Sequence, residues 1–269
     1  MTFRSVVPAP PNALVQPAGR TLVVGLPLLI GYLTALALSE GLLLVSAPLA
    51  AGGFGLLALA GCVALPFTAD ERSQALLPVM TAIPVVRLIV VAAPTADFAS
   101  IPRLGVLALP TLIVVTLATR TRHSVGQLFR LGPSDWATQL AVVLVAVPLA
   151  VIVYLLMPVT PGGRGNLPVI AAGIVLALAV LPDELLFRGL LQPAITAVAG
   201  QRAGLYLSAM MYAATFIAYA SVGALAAAFA VGLAVGWCRQ RTDSVVGVVG
   251  ARVVLVVLVY LAFPAIFNG

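Results

Sequence analysis

The sequence predicts an all-α fold, a polytopic bundle of about eight or nine transmembrane helices, and three observations carry that expectation. Of the 269 residues, 62% are apolar. Only 8% are charged, against roughly 25% in an ordinary soluble domain. The apolar residues also fall in runs of the length a bilayer demands, about 20 residues per spanning helix. Composition excludes a soluble enzyme or a disordered module, because 14 basic and 8 acidic residues cannot coat a soluble protein of this size. A nucleic-acid reader is excluded too. The basic residues are all arginine and are dispersed between apolar runs rather than clustered on one face. Cys62 and Cys238 lie in apolar runs, without disulfide or metal spacing.

Residues 1–20 are Pro-rich and read as a disordered cytoplasmic tail. Nine apolar runs follow: Thr21–Ser46, Ala50–Phe67, Ala75–Ala93, Leu104–Ala118, Trp136–Met157, Leu167–Leu181, Ala203–Ala220, Val222–Cys238 and Val245–Phe267. Pro133-Ser134-Asp135 is a plausible helix start ahead of the fifth run. The expected organisation is the tail, four helices within residues 21–119, a basic cytoplasmic loop at 120–135, and a core at 136–269. With the N-terminus inside, the inner segments hold Arg4, Arg20, Arg72, Arg120, Arg122, Arg130, Arg202, Arg239 and Arg241. The outer ones hold Arg103 and Arg164. That is the positive-inside pattern, and it sets the expected orientation in a bacterial cytoplasmic membrane. No internal repeat is visible, which weighs against the secondary transporters built on one.

In so apolar a chain each ionisable group inside a run needs a reason, because placing one at a helix centre costs about 2.5–3.5 kcal/mol. Glu40 and Arg87 stand alone in sequence and read as helix-end residues or a structural pair between helices. Asp183, Glu184 and Arg188 form a cluster. On a helix Glu184 and Arg188 share a face, with the acid on the favourable N-terminal side. Asp183 is turned by about 100° and faces elsewhere. Two adjacent carboxylates with one arginine at membrane depth have the makings of a water-activating site, the carboxylate taking the proton and the arginine orienting it. A charged turn beside a helix end explains the same residues without chemistry. The single histidine, His123, falls in the basic loop and reads as solvated.

The string Asp183-Glu184-Leu185-Leu186-Phe187-Arg188-Gly189 resembles the first motif, Glu-Glu-x-x-x-Arg, of the CPBP family, the CAAX-type and bacteriocin-processing (Abi) intramembrane proteases. The first Glu is replaced by Asp183. Ser208 to Phe216 resembles the segment ending in Phe-x-x-x-His, with Tyr212 at the Phe position and Phe216 at the His. Thr242-Asp243-Ser244 resembles a Thr-Gly-Ser turn. Gly250-Ala251-Arg252 resembles the place where Ala-His is expected, and Val256 falls where the family often has Asn. The resemblance runs from about Trp136 to the C-terminus, so the first four runs look like a variable extension.

The resemblance implies a helical bundle around a polar site open to the cytosol, and endopeptidase activity on membrane-associated substrates such as lipidated or membrane-embedded peptides. Asp183, Glu184 and Arg188 would be its catalytic residues, with Glu184 as the base that activates water. Phe216, Arg252 and Val256 are degenerate family positions, and the loss of both histidines points to weak or absent activity. Two alternatives stay open: a non-catalytic relative that binds membrane peptides or partner subunits, and a small transporter with Asp183 and Glu184 as its ion site. No cofactor, metal or nucleic-acid partner is expected. Membrane lipid is the one partner that composition requires. Arg252 would be a buried cation in an apolar helix. It is expected to pair with an acid of the first motif, Asp183 by preference, because Glu184 is spoken for by Arg188.

Overall fold

The structure is a computed structural model that describes residues 23–68, 70–93, 100–119, 136–157 and 165–267. The N-terminal tail, the basic loop with His123, and Pro161 to Arg164 of the Gly-rich loop lie outside these residues. The described chain is helical, with no β-strand. The helices are α1 (Leu26–Leu42), α2 (Ala47–Ala64), α3 (Glu71–Ala92), α4 (Ser100–Thr119) and α5 (Trp136–Leu156). Then come α6 (Val169–Glu184), a π-helical segment (Leu185–Leu191), α7 (Gln192–Ala199), α8 (Gln201–Ala214), α9 (Val222–Thr242) and α10 (Val246–Val257). A second π segment (Leu258–Ala262) joins α10 to the short α11 (Phe263–Phe267).

Seven of the described helical stretches are long and apolar enough to cross a membrane, with α6, its π segment and α7 counting as one stretch, Val169–Ala199. The protein is therefore an integral, multi-pass membrane protein. α1 and α8 are shorter, at 17 and 14 residues. The runs that predicted them were longer because composition continues past the helix ends. α8 gives way to a 3-10 turn at Ile217–Tyr219, closed by Ala220 in the left-handed region at φ 52°.

Local chemistry sets the other boundaries. Pro27 and Pro48 open α1 and α2, where a missing N–H costs nothing. Asp70 caps α3, its carboxylate accepting from the Ser73 N–H at 2.9 Å. Ser221 caps α9 in the same way, accepting from the Ala224 N–H at 3.2 Å. α2 buries only Ala50 and Phe54, and the rest of its apolar surface is left for lipid.

The helices gather around two apolar cores. One joins α1, α2, α3, the first π segment and α8 through residues such as Leu29, Phe54, Ile83, Leu191 and Met211. The other joins α5, α6, α9 and α10 through Val142, Leu176, Val235 and Leu255. α5 packs along α10, α4 along α6, and α8 along α9. α6 runs from the second core into the first, so its C-terminal end lies where the two cores meet.

Candidate functional site

The first-motif string is not a turn beside a helix end. Helix continues through it from Val169 to Ala199, and the sixth apolar run extends well past Leu181. What changes at the motif is the helix type. Pro182 and Pro193 bracket it, and neither can donate a backbone hydrogen bond. Between them the backbone loosens into the π segment Leu185–Leu191, whose end is fixed by the Gln192 N–H donating to the Phe187 carbonyl. π segments inside α-helices recur at functional sites. All seven residues of this one are buried.

Glu184 is 1% exposed and Arg188 is 0% exposed. The Arg188 Nε lies 3.8 Å from Glu184 Oε2, within ion-pair range but too long for a hydrogen bond. Glu184 Oε1 is held closely by another residue, Arg252 of α10, whose Nε donates to it at 2.8 Å. The expected pairing is thus corrected. Arg252 does reach a first-motif acid, but that acid is Glu184, and the carboxylate is shared between two guanidiniums. Asp183 makes no ion pair or hydrogen bond among the described residues and is only partly buried. The 100° turn between neighbouring helix positions puts Asp183 off the face that points at α10.

Tyr212 of α8 completes the cluster, and sequence reasoning missed its role. Its hydroxyl accepts from Arg252 Nη2 at 2.5 Å. Its ring lies near both cations, with the Arg188 guanidinium carbon 4.9 Å and that of Arg252 5.4 Å from the ring centroid. Desolvated contacts of this kind are worth up to about 2 kcal/mol each, which helps two arginines share one carboxylate. The available signal was a phenol in an otherwise apolar run, since a buried tyrosine hydroxyl needs a partner.

Phe187 and Phe216 meet the Tyr212 ring edge-on, each at 5.3 Å. Phe216 also stacks on Tyr219 at 5.5 Å. Val256, one turn beyond Arg252, is buried in the second core. These two degenerate positions bring only aromatic and aliphatic surface. Gln192 is held by α9, its Nε2 donating to the Gly236 carbonyl at 2.8 Å. Gly236 lets these side chains pack close, because a Cβ at that position would lie 3.2 Å from Gln192 Oε1 and 2.9 Å from the Leu205 Cδ1.

Among the described residues no group of three or more His, Cys, Asp or Glu side chains gathers as a metal site would require. A small cavity between α5, α9 and α10 is lined by apolar residues such as Val142, Leu149 and Val235, and by none of the charged ones. The second buried pair lies in the N-terminal helices. Arg87 of α3 contacts both carboxylate oxygens of Glu40 of α1, with Nη2 donating to Oε2 at 2.6 Å. The pairing between helices read from the sequence is the arrangement seen.

Residues 164–258 match the family model described as type II CAAX prenyl endopeptidase Rce1-like. The matched stretch contains the entire Glu184 cluster together with Phe216. It is narrower than the resemblance read from Trp136 onward, and α1 to α5 lie outside it. No curated protein and no solved structure matches the chain. Residues 164–258 are thus similar to the CAAX-type intramembrane endopeptidases, the resemblance that the first-motif string suggested.

Proposed function

We propose that this chain carries the fold of a CAAX-type endopeptidase but has little or no peptidase activity, and that it acts by binding membrane-embedded or lipidated peptides or partner subunits. The observation that carries the reading is the 2.8 Å ion pair between Arg252 and Glu184. A carboxylate that is to activate water must accept a proton. A guanidinium is bonded to Glu184 Oε1 and a second lies 3.8 Å from Oε2, so the carboxylate that would take that proton is already engaged as a counter-ion. Neither Phe216 nor Arg252 offers a neutral imidazole to assist. The burial of Glu184, 1% exposed among the described residues, supports the same reading. A transporter site for cations fits less well, because two fixed cations already occupy the ground beside Glu184.

The test is cleavage of a lipidated-peptide library by membranes containing the full chain. The expected result is no cleavage beyond that of membranes lacking it. Cleavage that disappears in Glu184→Ala would overturn the reading and restore Glu184 as the base. Orientation belongs to the same proposal. The arginine distribution supports a cytoplasmic N-terminus, so reporters fused after Arg130 and Asn268 should report opposite sides.

A further inference from the structure

The helices α8 and α9 form an antiparallel pair whose charges all lie at one end. No charged residue stands between Arg202, in the first turn of α8, and Arg239, in the last turn of α9. Three contacts fix the register of the pair. Gln240 Nε2 donates to the Gln201 carbonyl at 2.8 Å. A Cβ on Gly236 would lie 2.9 Å from the Leu205 Cδ1, and one on Gly232 would lie 3.1 Å from the Ala209 Cα. Leu205 therefore faces Gly236. Tyr206 and Trp237 are the residues that follow these two, and each step along a helix turns by about 100°. Because the helices run in opposite directions, both turns lead to the same side of the pair. Burial agrees, with Tyr206 52% and Trp237 51% exposed. Arg202 and Arg241 lie four residues from these rings, on the same face and about 6 Å nearer the charged end. Both arginines are exposed.

Two cations thus stand one turn outside two half-exposed rings. Neither arginine has an ion-pair partner among the described residues. Asp243, the acid nearest to them in sequence, is taken by Arg239 at 2.7 Å. The Arg241 guanidinium carbon lies 5.1 Å from the Trp237 ring centroid, a contact that leaves its in-plane N–H donors free. α9 is long and apolar enough to span the membrane, and Arg241 lies in its last turn. Tryptophan and tyrosine settle at the boundary between hydrocarbon and water, which puts the two arginines at headgroup level. We propose that this face holds a phospholipid of net negative charge, its phosphate between Arg202 and Arg241 and its acyl chains against Tyr206 and Trp237. Guanidinium forks match phosphate oxygens. A soluble anion would leave both rings uncovered. A zwitterionic headgroup brings a cation of its own, which the same arginines repel. None of these residues belongs to the Glu184 cluster, so the proposal stands whether or not the chain cleaves peptides.

The test uses the full chain carrying Trp136→Phe, which leaves Trp237 as its one tryptophan, in phosphatidylcholine nanodiscs. Quenching of Trp237 fluorescence is followed as phosphatidylglycerol or phosphatidylcholine, each brominated on its acyl chains, replaces the unlabelled lipid. The lipid fraction that gives half-quenching should be about fivefold lower for phosphatidylglycerol, the size of effect that one arginine near an anionic surface gives. Arg202→Gln/Arg241→Gln should abolish that preference. Arg103→Gln, in the first turn of α4, removes a charge elsewhere and should leave it unchanged. Equal quenching by the two lipids in the Trp136→Phe chain overturns the proposal. So does a preference that survives in the double variant, or one that Arg103→Gln removes as well, since the cause would then lie elsewhere or in net charge. Displacement of the brominated phosphatidylglycerol by millimolar inorganic phosphate would overturn the assignment to a lipid.

Discussion

Two buried glutamate–arginine contacts stabilise this bundle, and they are built on different plans. Glu40 and Arg87 join α1 to α3 one to one, by one hydrogen bond from Nη2 to Oε2 and an ion-pair contact between Nε and Oε1, and Arg87 is still 17% exposed. Glu184 serves two arginines at once, with the Tyr212 ring near both, and leaves Arg188 without a hydrogen bond. A pair whose only task is to fasten two helices can close on itself, as the first does. The second has more polar groups than fastening requires, and it sits on a π segment bracketed by prolines. Its residues lie in the family-matched stretch, whereas Glu40 and Arg87 lie outside it. Under the proposed function the first is a fastening built for stability and the second an altered chemical site.

Substitutions can break that comparison. Glu184→Ala should have the largest effect, because it strands two fully or nearly buried cations. A loss of about 3–5 kcal/mol is expected, read as unfolding free energy by steric trapping in bicelles. Glu40→Ala strands one cation that can turn toward water, so about 2–3 kcal/mol is expected by the same readout. If Glu40→Ala proved the more damaging, the contrast between the two sites would be wrong. Tyr212→Phe keeps the ring beside the arginines and removes only the hydroxyl, a loss of about 0.6–1.7 kcal/mol. Asp183→Asn should stay within about 0.5 kcal/mol, since its carboxylate makes no ion pair in the described structure.

A pH-dependent effect should come from the helix cap that precedes α3. Hydrogen bonds from Ser73 hold the Asp70 carboxyl below the usual carboxylate range. A depressed folded-state pKa gives stability that is present above the unfolded value, near about 3.9, and lost as pH falls through the folded one. The penalty of Asp70→Ala, measured as a shift in melting temperature, should therefore be small at neutral pH and vanish in strong acid.

Most of the fold was legible from apolar runs and helix-start residues, because membrane helices declare themselves by length and composition. The ends of α1 and α8 were not, since apolar residues continue into the flanking turns. The candidate site was legible as a motif and as a requirement, namely that Arg252 must find an acid. The choice of acid was not. Asp183 and Glu184 are adjacent in sequence, and only the packed angle between α6 and α10 decides which one faces Arg252. The π segment was hidden for a related reason. Side-chain spacing was read at 3.6 residues per turn, and nothing in the order of Leu185 to Leu191 announces a wider helix. Tyr212 was visible as an unusual phenol, yet its two cation neighbours come from different helices that sequence order does not bring together.

The claim at the centre of this account is that Arg252 holds Glu184 as a counter-ion, so the carboxylate braces the bundle instead of activating water. A double-mutant cycle measures that directly. Unfolding free energies of the native chain, Glu184→Gln, Arg252→Met and the double variant give the coupling between the two side chains. The account predicts that the double variant is less destabilised than the sum of the single ones, with a coupling of about 1–3 kcal/mol. Losses that add to within about 0.5 kcal/mol would contradict it and leave Glu184 free for another role.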